Sequence, residues 1–119
     1  MNEKRIILEM GMGNDLYGQD YTKAACRAVQ DALHHSSITL FSRLNLDHKV
    51  MRVQVTIGVA KPELVDLEAV TAELPRGRAE VRAVAGGLDV QDAEAHHVVA
   101  TAAVEAFLPD LEGQYRLLK

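Results

Sequence analysis

Tryptophan is missing from the 119 residues, and only two phenylalanines and three tyrosines are present. Large aromatic side chains therefore fill little of any core, and the hydrophobic share rests on alanine and valine. Cys26 is the single cysteine, which excludes an intrachain disulfide and a cysteine-built zinc site. It reads as a small buried helix residue. Positive charge is also in deficit: 13 Lys and Arg face 17 Asp and Glu, for a net charge of −4. With no basic run and no aromatic-basic interleaving, nucleic acid is excluded as a default partner. No apolar stretch approaches the roughly 20 residues of a membrane span. After the charged Met1-Asn2-Glu3-Lys4-Arg5, Glu9 and the glycines interrupt any hydrophobic signal region. The expectation is a cytoplasmic protein with no membrane partner.

What is present fits one α+β domain over 1–119, with a tail at 109–119 that has no readable structure. Residues 5–10 read as a strand with Ile6, Leu8 and Met10 on one face and Ile7 and Glu9 on the other; Gly11-Met12-Gly13 is expected to end it. Residues 20–35 are the clearest helix. Tyr21, Ala24, Ala25, Ala28, Val29, Ala32 and Leu33 form its stripe, and Asp20 is placed as N-cap. Because the stripe is mostly alanine, the helix is expected to pack close to what it covers. Residues 36–49 show no clean period and read as a connector.

Residues 50–59 alternate as a strand, with Val53, Val55, Ile57 and Val59 inward. Asp66 caps a second helix whose stripe is Leu67, Val70 and Leu74, stopped by Pro75 and Gly77. Residues 78–85 form a strand ended by Gly86-Gly87. Alanine content pulls 96–108 towards helix, whereas Val98-Val99, Val104 and Phe107 pull it towards strand. A strand is expected, because the sheet needs a partner. The order is then β-α-β-α-β-β: a four-stranded mixed sheet with two helices on one face. The other face is read as Glu9, Arg52, Gln54, Thr56, Arg82, Thr101 and Glu105 among Ile7, Val84, Val99 and Phe107. That is too apolar for open water and too polar for a monomer core. Packing such faces together in a closed ring of subunits resolves the conflict.

The best candidate site is the run Gly11-Met12-Gly13-Asn14-Asp15-Leu16-Tyr17-Gly18, read as a turn from strand to helix. Glycines permit close backbone approach and positive φ, and helix N–H groups bind anions. It lacks the Gly-Lys-Ser/Thr ending of a phosphate loop and the spacing of a dinucleotide fingerprint. Asp15 is the candidate catalytic base or hydrogen-bond acceptor. Lys23 and Arg27, four apart on one helix face, would neutralise an acidic ligand. The ligand set is thus Gly11, Gly13, Asn14, Asp15, Tyr17, Gly18, Lys23 and Arg27. Against it stands a plainer reading, in which the glycines shape a turn, Asp15 bonds local backbone and the two cations are solvated. His34, His35, His48, His96 and His97 show no metal-binding spacing, so no metal is assigned. No cofactor is assigned either, and no Gly-x-Ser-x-Gly elbow marks a hydrolase.

The run Leu8–Asp20, followed by Thr22-Lys23-Ala24-Ala25, resembles the Lin0512 family of uncharacterised proteins, whose signature is G-x-G-x-D-x-H-G. The strand Met51–Val59 with Pro62-Glu63 and Val65-Asp66, and Val84-Ala85-Gly86-Gly87-Leu88, resemble the same family. Gly11, Gly13, Asp15 and Gly18 match the signature, and Tyr17 stands where it has histidine. A phenol can still hydrogen-bond there, but a role that needs an imidazole is lost. The family supplies no activity to transfer. The element order is also similar to the trimeric chorismate mutases and the YjgF-like enamine deaminase proteins, which implies ligand clefts between subunits by fold analogy alone. Function is therefore expected as binding or turnover of a small acidic metabolite by a homo-oligomer, a trimer or a multiple of one. The alternative is a non-catalytic structural or regulatory protein that assembles through its sheet face.

Overall fold

The computed structural model describes residues 3–34, 51–74, 78–91 and 95–109. The expected connector at 36–49, the stop signals Pro75 and Gly77, His35, His48 and nearly all of the tail lie outside them. The elements are β1 (Glu3–Asp15), α1 (Tyr21–His34), β2 (Arg52–Val59), a 3-10 turn (Pro62–Leu64), α2 (Leu67–Thr71), β3 (Arg78–Ala85), β4 (Leu88–Gln91) and β5 (His96–Pro109). Among the described residues the sheet has five strands rather than the expected four, in the order β1-β5-β2-β3 with β4 also on β5. The unanticipated strand is β4, four residues long and too short for a period that can be read by itself. It pairs antiparallel with the start of β5, Leu88 opposite Val99 and Gln91 opposite His96. β2 and β3 run parallel, and β5 is antiparallel to β1 and β2.

The ambiguous 96–108 segment is a strand because it has neighbours on both edges. Val98, Ala100, Ala102, Val104, Ala106 and Leu108 alternate inward and are buried. They meet Val53, Val55, Ile57 and Val59 of β2 and the α1 stripe Tyr21, Ala24, Ala25, Ala28, Val29 and Ala32 in one core, which Val70 of α2 joins. Asp20 caps α1 by accepting from the Lys23 N–H at 3.0 Å. Asp66 caps α2 by accepting from Glu68 and Ala69. Leu67, expected in the buried stripe, is 41% exposed: α2 is only five residues long, and a helix that short turns little more than one side to the core.

β1 departs from expectation in two ways. It does not end at Gly11-Met12-Gly13 but continues to Asp15, paired with β5 throughout. Its register also shifts between Arg5 and Ile7, which reverses the phase of the strand from there to its end. Glu9, Gly11, Gly13 and Asp15 lie opposite the inward residues Val104, Ala102, Ala100 and Val98, so Glu9 faces the helices, not the open side. Leu8, Met10 and Met12 instead face away from them and are exposed at 41%, 67% and 59%.

The glycines explain that choice. A Cβ on Gly11 would lie 2.3 Å from the Ala28 carbonyl oxygen, and one on Gly13 would lie 2.3 Å from the Ala28 nitrogen. Helix α1 rests backbone to backbone on β1, with alanine on its side and glycine on the strand's.

Candidate functional site

Asp15 ends β1 on the helix side and is 5% exposed. Its Oδ2 accepts from the Asp20 N–H at 2.9 Å, closing the bend that leads into α1. A side chain at Gly18 would come within 2.7 Å of that oxygen, so the loop is drawn tightly over the carboxylate. Gln19 takes up the reversal with φ 52°.

The other oxygen, Oδ1, lies 3.8 Å from Lys23 Nζ and 3.9 Å from Arg27 Nη1. Arg27 also donates to the Asn14 carbonyl at 2.7 Å. The two cationic side chains remain 53% and 46% exposed. Two positive charges thus share one buried carboxylate, and both stay open to solvent.

Asp15, Gly18, Lys23, Arg27 and the Asn14 carbonyl, all expected at the site, come together here. Gly11 and Gly13 lie along the strand beneath α1 and do not form a turn. Tyr17 is 82% exposed, and its ring meets His97 edge-on at 6.2 Å between centroids.

A second polar group stands at the same end of the sheet. The Tyr21 hydroxyl donates to Asp89 Oδ2, and His96 Nε2 lies 2.9 Å from the same oxygen. Asp89 pairs with Val98, which also pairs with Asp15 across β5, so the two carboxylates flank one residue. Asp89 Oδ1 is buried with no hydrogen-bond partner among the described residues. Burial and then the Asp89 carboxylate hold the Tyr21 hydroxyl above its ordinary value. Burial pushes Asp89 up, but the Tyr21 and His96 hydrogen bonds outweigh it, and the net direction is down.

Sequence periodicity assigns Tyr21 to an apolar stripe and gives no hint of Asp89. The available signal is the alternation Leu88-Asp89-Val90-Gln91 between Gly86-Gly87 and Val98-Val99, a hairpin pattern. Among the described residues no three His, Cys, Asp or Glu side chains are grouped to hold a metal ion, and no helix is long and apolar enough to cross a membrane.

The sheet face away from the helices holds a shallow concavity of about 520 Å³, with Thr56, Gly58, Thr101 and Ala103 along it and Met10, Met12 and Val84 around it. Leu88 and Val90 extend the exposed apolar surface on this side, at 57% and 43% exposure. Charges concentrate towards the other end of the face: Arg5 pairs with Glu105 at 3.2 Å, and Arg52 pairs with Glu3 at 2.7 Å and stacks over Phe107.

The comparisons with known proteins agree with this shape. A crystal structure from Nostoc punctiforme, described as an FtsZ-like protein of unknown function, matches with a TM-score of 0.82 and 37% identity, covering 92% of this chain and 99% of that one. No curated protein matches. The family model described as Conserved hypothetical protein (Lin0512_fam) matches residues 5–106. The chain therefore belongs to the Lin0512 family of conserved hypothetical proteins.

Proposed function

We propose that the protein binds a small anionic molecule at the end of the sheet where α1 begins, as a homo-oligomer in which that end lies near a subunit boundary. The carrying observation is the pair Lys23 and Arg27: two half-exposed cations held over a single buried carboxylate. Surface ion pairs of this kind are worth little to stability, whereas two aligned cations with one countercharge attract a carboxylate or phosphate. Asp15 is bonded and buried, so its part is to position Lys23 and Arg27. The Tyr21–Asp89–His96 group supplies the ionisable side chains for any proton transfer beside the bound anion.

The oligomer is supported by the open sheet face, where Leu8, Met10, Met12, Val84, Leu88 and Val90 are exposed together. The element order expected from the sequence, similar to trimeric chorismate mutases and YjgF-like proteins before β4 is added, is the basis for proposing a trimer or a multiple of it. The same face supports the second reading, an assembly protein with no ligand.

The test is a thermal-shift series with inorganic phosphate and with succinate on the parent and on Lys23→Ala/Arg27→Ala. A ligand at a hundredfold its Kd adds about 2.7 kcal/mol, a rise of several degrees for a domain this size. That rise should vanish in the double variant. A flat response in the parent, with an oligomer still present by sedimentation, leaves the assembly reading standing.

A further inference from the structure

We infer that His96 is the base of the site at the sheet end: its Nδ1 takes a proton from a short acid whose anionic group is held by Lys23 and Arg27. The inference rests on the anion reading above and adds the atom that reacts.

The hydrogen bonds leave a single arrangement of protons. Asp89 Oδ2 is bonded by the Tyr21 hydroxyl and lies 2.9 Å from His96 Nε2. Burial raises the Asp89 carboxyl, but its bonds to Tyr21 and His96 outweigh that and hold it below the ordinary value. Asp89 is therefore ionised at neutral pH and has no proton to give, so both neighbours donate to it. In neutral His96 the proton then sits on Nε2, and Nδ1 keeps its lone pair. A carboxylate that fixes a histidine's tautomer in this way is the orienting partner of a general base.

Access selects the same atom. Tyr21 is 2% exposed, with its hydroxyl committed to Asp89, and Asp89 Oδ1 is buried. The His96 side chain is 24% exposed, and its Nδ1 makes no hydrogen bond to the described residues. Val98 pairs with both Asp15 and Asp89, so the Cα atoms of those two are two strand spacings apart, roughly 10 Å. A short acid bridges that gap between the cations and His96. When Nδ1 takes its labile proton, from a hydroxyl or from carbon beside a carbonyl, the bonding pair stays on the substrate. The imidazolium faces the Asp89 carboxylate and returns its proton to the product. Asp89 and Tyr21 are positioning residues.

The experiment is alkylation of the full chain at neutral pH with iodoacetate and with uncharged iodoacetamide. Each reagent transfers its methylene carbon to an imidazole nitrogen and loses iodide. Peptide mass spectrometry gives the rate at each histidine, and nitrogen NMR identifies the nitrogen modified. In the parent, His96 should react at Nδ1. Iodoacetate should react there about tenfold faster than iodoacetamide, because Lys23 and Arg27 hold its carboxylate, with no such preference at the exposed His34. Lys23→Ala/Arg27→Ala should lose the preference and keep the position. Asp89→Ala should spread the product over both nitrogens, which a merely structural role would not do. Reaction of the parent at His96 Nε2, or at His34 without His96, overturns the proposal, and that result needs no variant to fold. Reaction at Nδ1 with equal rates for the two reagents upholds His96 as the base and counts against the anion reading alone.

Discussion

Asp89 takes two hydrogen bonds on one oxygen and none on the other among the described residues, and this asymmetry governs its response to pH. Its carboxyl is held below the ordinary 3.8, so its contribution to stability is present above that value and lost as pH falls through the lower folded value. Tyr21 is held above the ordinary 10.0, so its contribution is present below that value and lost as pH rises through the higher folded one. Asp89→Asn should therefore flatten the acid limb of a stability profile measured by urea unfolding. Tyr21→Phe should remove the most alkaline part of the tyrosinate absorbance change and cost about 1–3 kcal/mol, because a buried acceptor loses its donor. An unaltered alkaline limb of the absorbance titration in Tyr21→Phe would show that the bond to Asp89 does not exist in solution. None of this is legible in the sequence, since Tyr21 fits a helical apolar period and a single aspartate in a short strand has no pattern of its own.

At the scale of elements, β1 and α1 meet backbone to backbone. Gly11 and Gly13 alternate along the strand while Ala24, Ala28 and Ala32 repeat along the helix, and the two periods meet without side chains between them. Gly13→Ala places a methyl 2.3 Å from the Ala28 nitrogen and 2.4 Å from the Ala24 carbonyl. Overpacking of this sort costs about 1–3 kcal/mol, and here it falls on backbone, which yields less than a side chain. The urea midpoint should drop with the m-value unchanged, while Met12→Leu, one residue away and exposed, should be nearly neutral. Equal midpoints for Gly13→Ala and the parent would sink the packing account.

The glycine motif is visible in the sequence, but its work is not the turn that its spacing suggests. Glycine spacing signals close backbone approach whether the visitor is a ligand or a helix, and the alanine stripe of the next helix is the clue to which. The helices, their Asp20 and Asp66 caps and the strands at 50–59 and 78–85 are readable because each has a period or a cap of its own, whereas 96–108 is read as a strand only because the sheet needs a partner. β4 and the phase of β1 are not, because the first depends on its partner and the second on a local register shift. Gly87, with φ +61° and only 2.3 Å between a would-be Cβ and the Val99 carbonyl, marks the bend from β3 into the unanticipated strand.

The molecule as a whole is two-sided. Its helices cover one face of the sheet, and six of its exposed large apolar residues gather on the other. In the proposed homo-oligomer this face is the self-association surface. Leu88→Glu combined with Met12→Glu should lower the sedimentation coefficient to that of a monomer and leave the far-UV circular dichroism unchanged, since neither side chain enters the core. An oligomer that survives both substitutions would place the subunit boundary elsewhere.

β5 has a further consequence. It is hydrogen-bonded to β1, β2 and β4, and β1 and β2 have no other link to each other within the sheet. Yet β5 is the last of these elements to leave the ribosome. Until Val98–Leu108 emerges, β1 has no strand partner among the described residues, α1 has half a platform, and β2 and β3 form an isolated pair. The native sheet therefore forms only once β5 has been made, through a contact that joins β1 to a strand about ninety residues later. Such distant pairing is slow. During that interval the nascent chain exposes unpaired strand edges and depends on its neighbours in the cell to leave them alone.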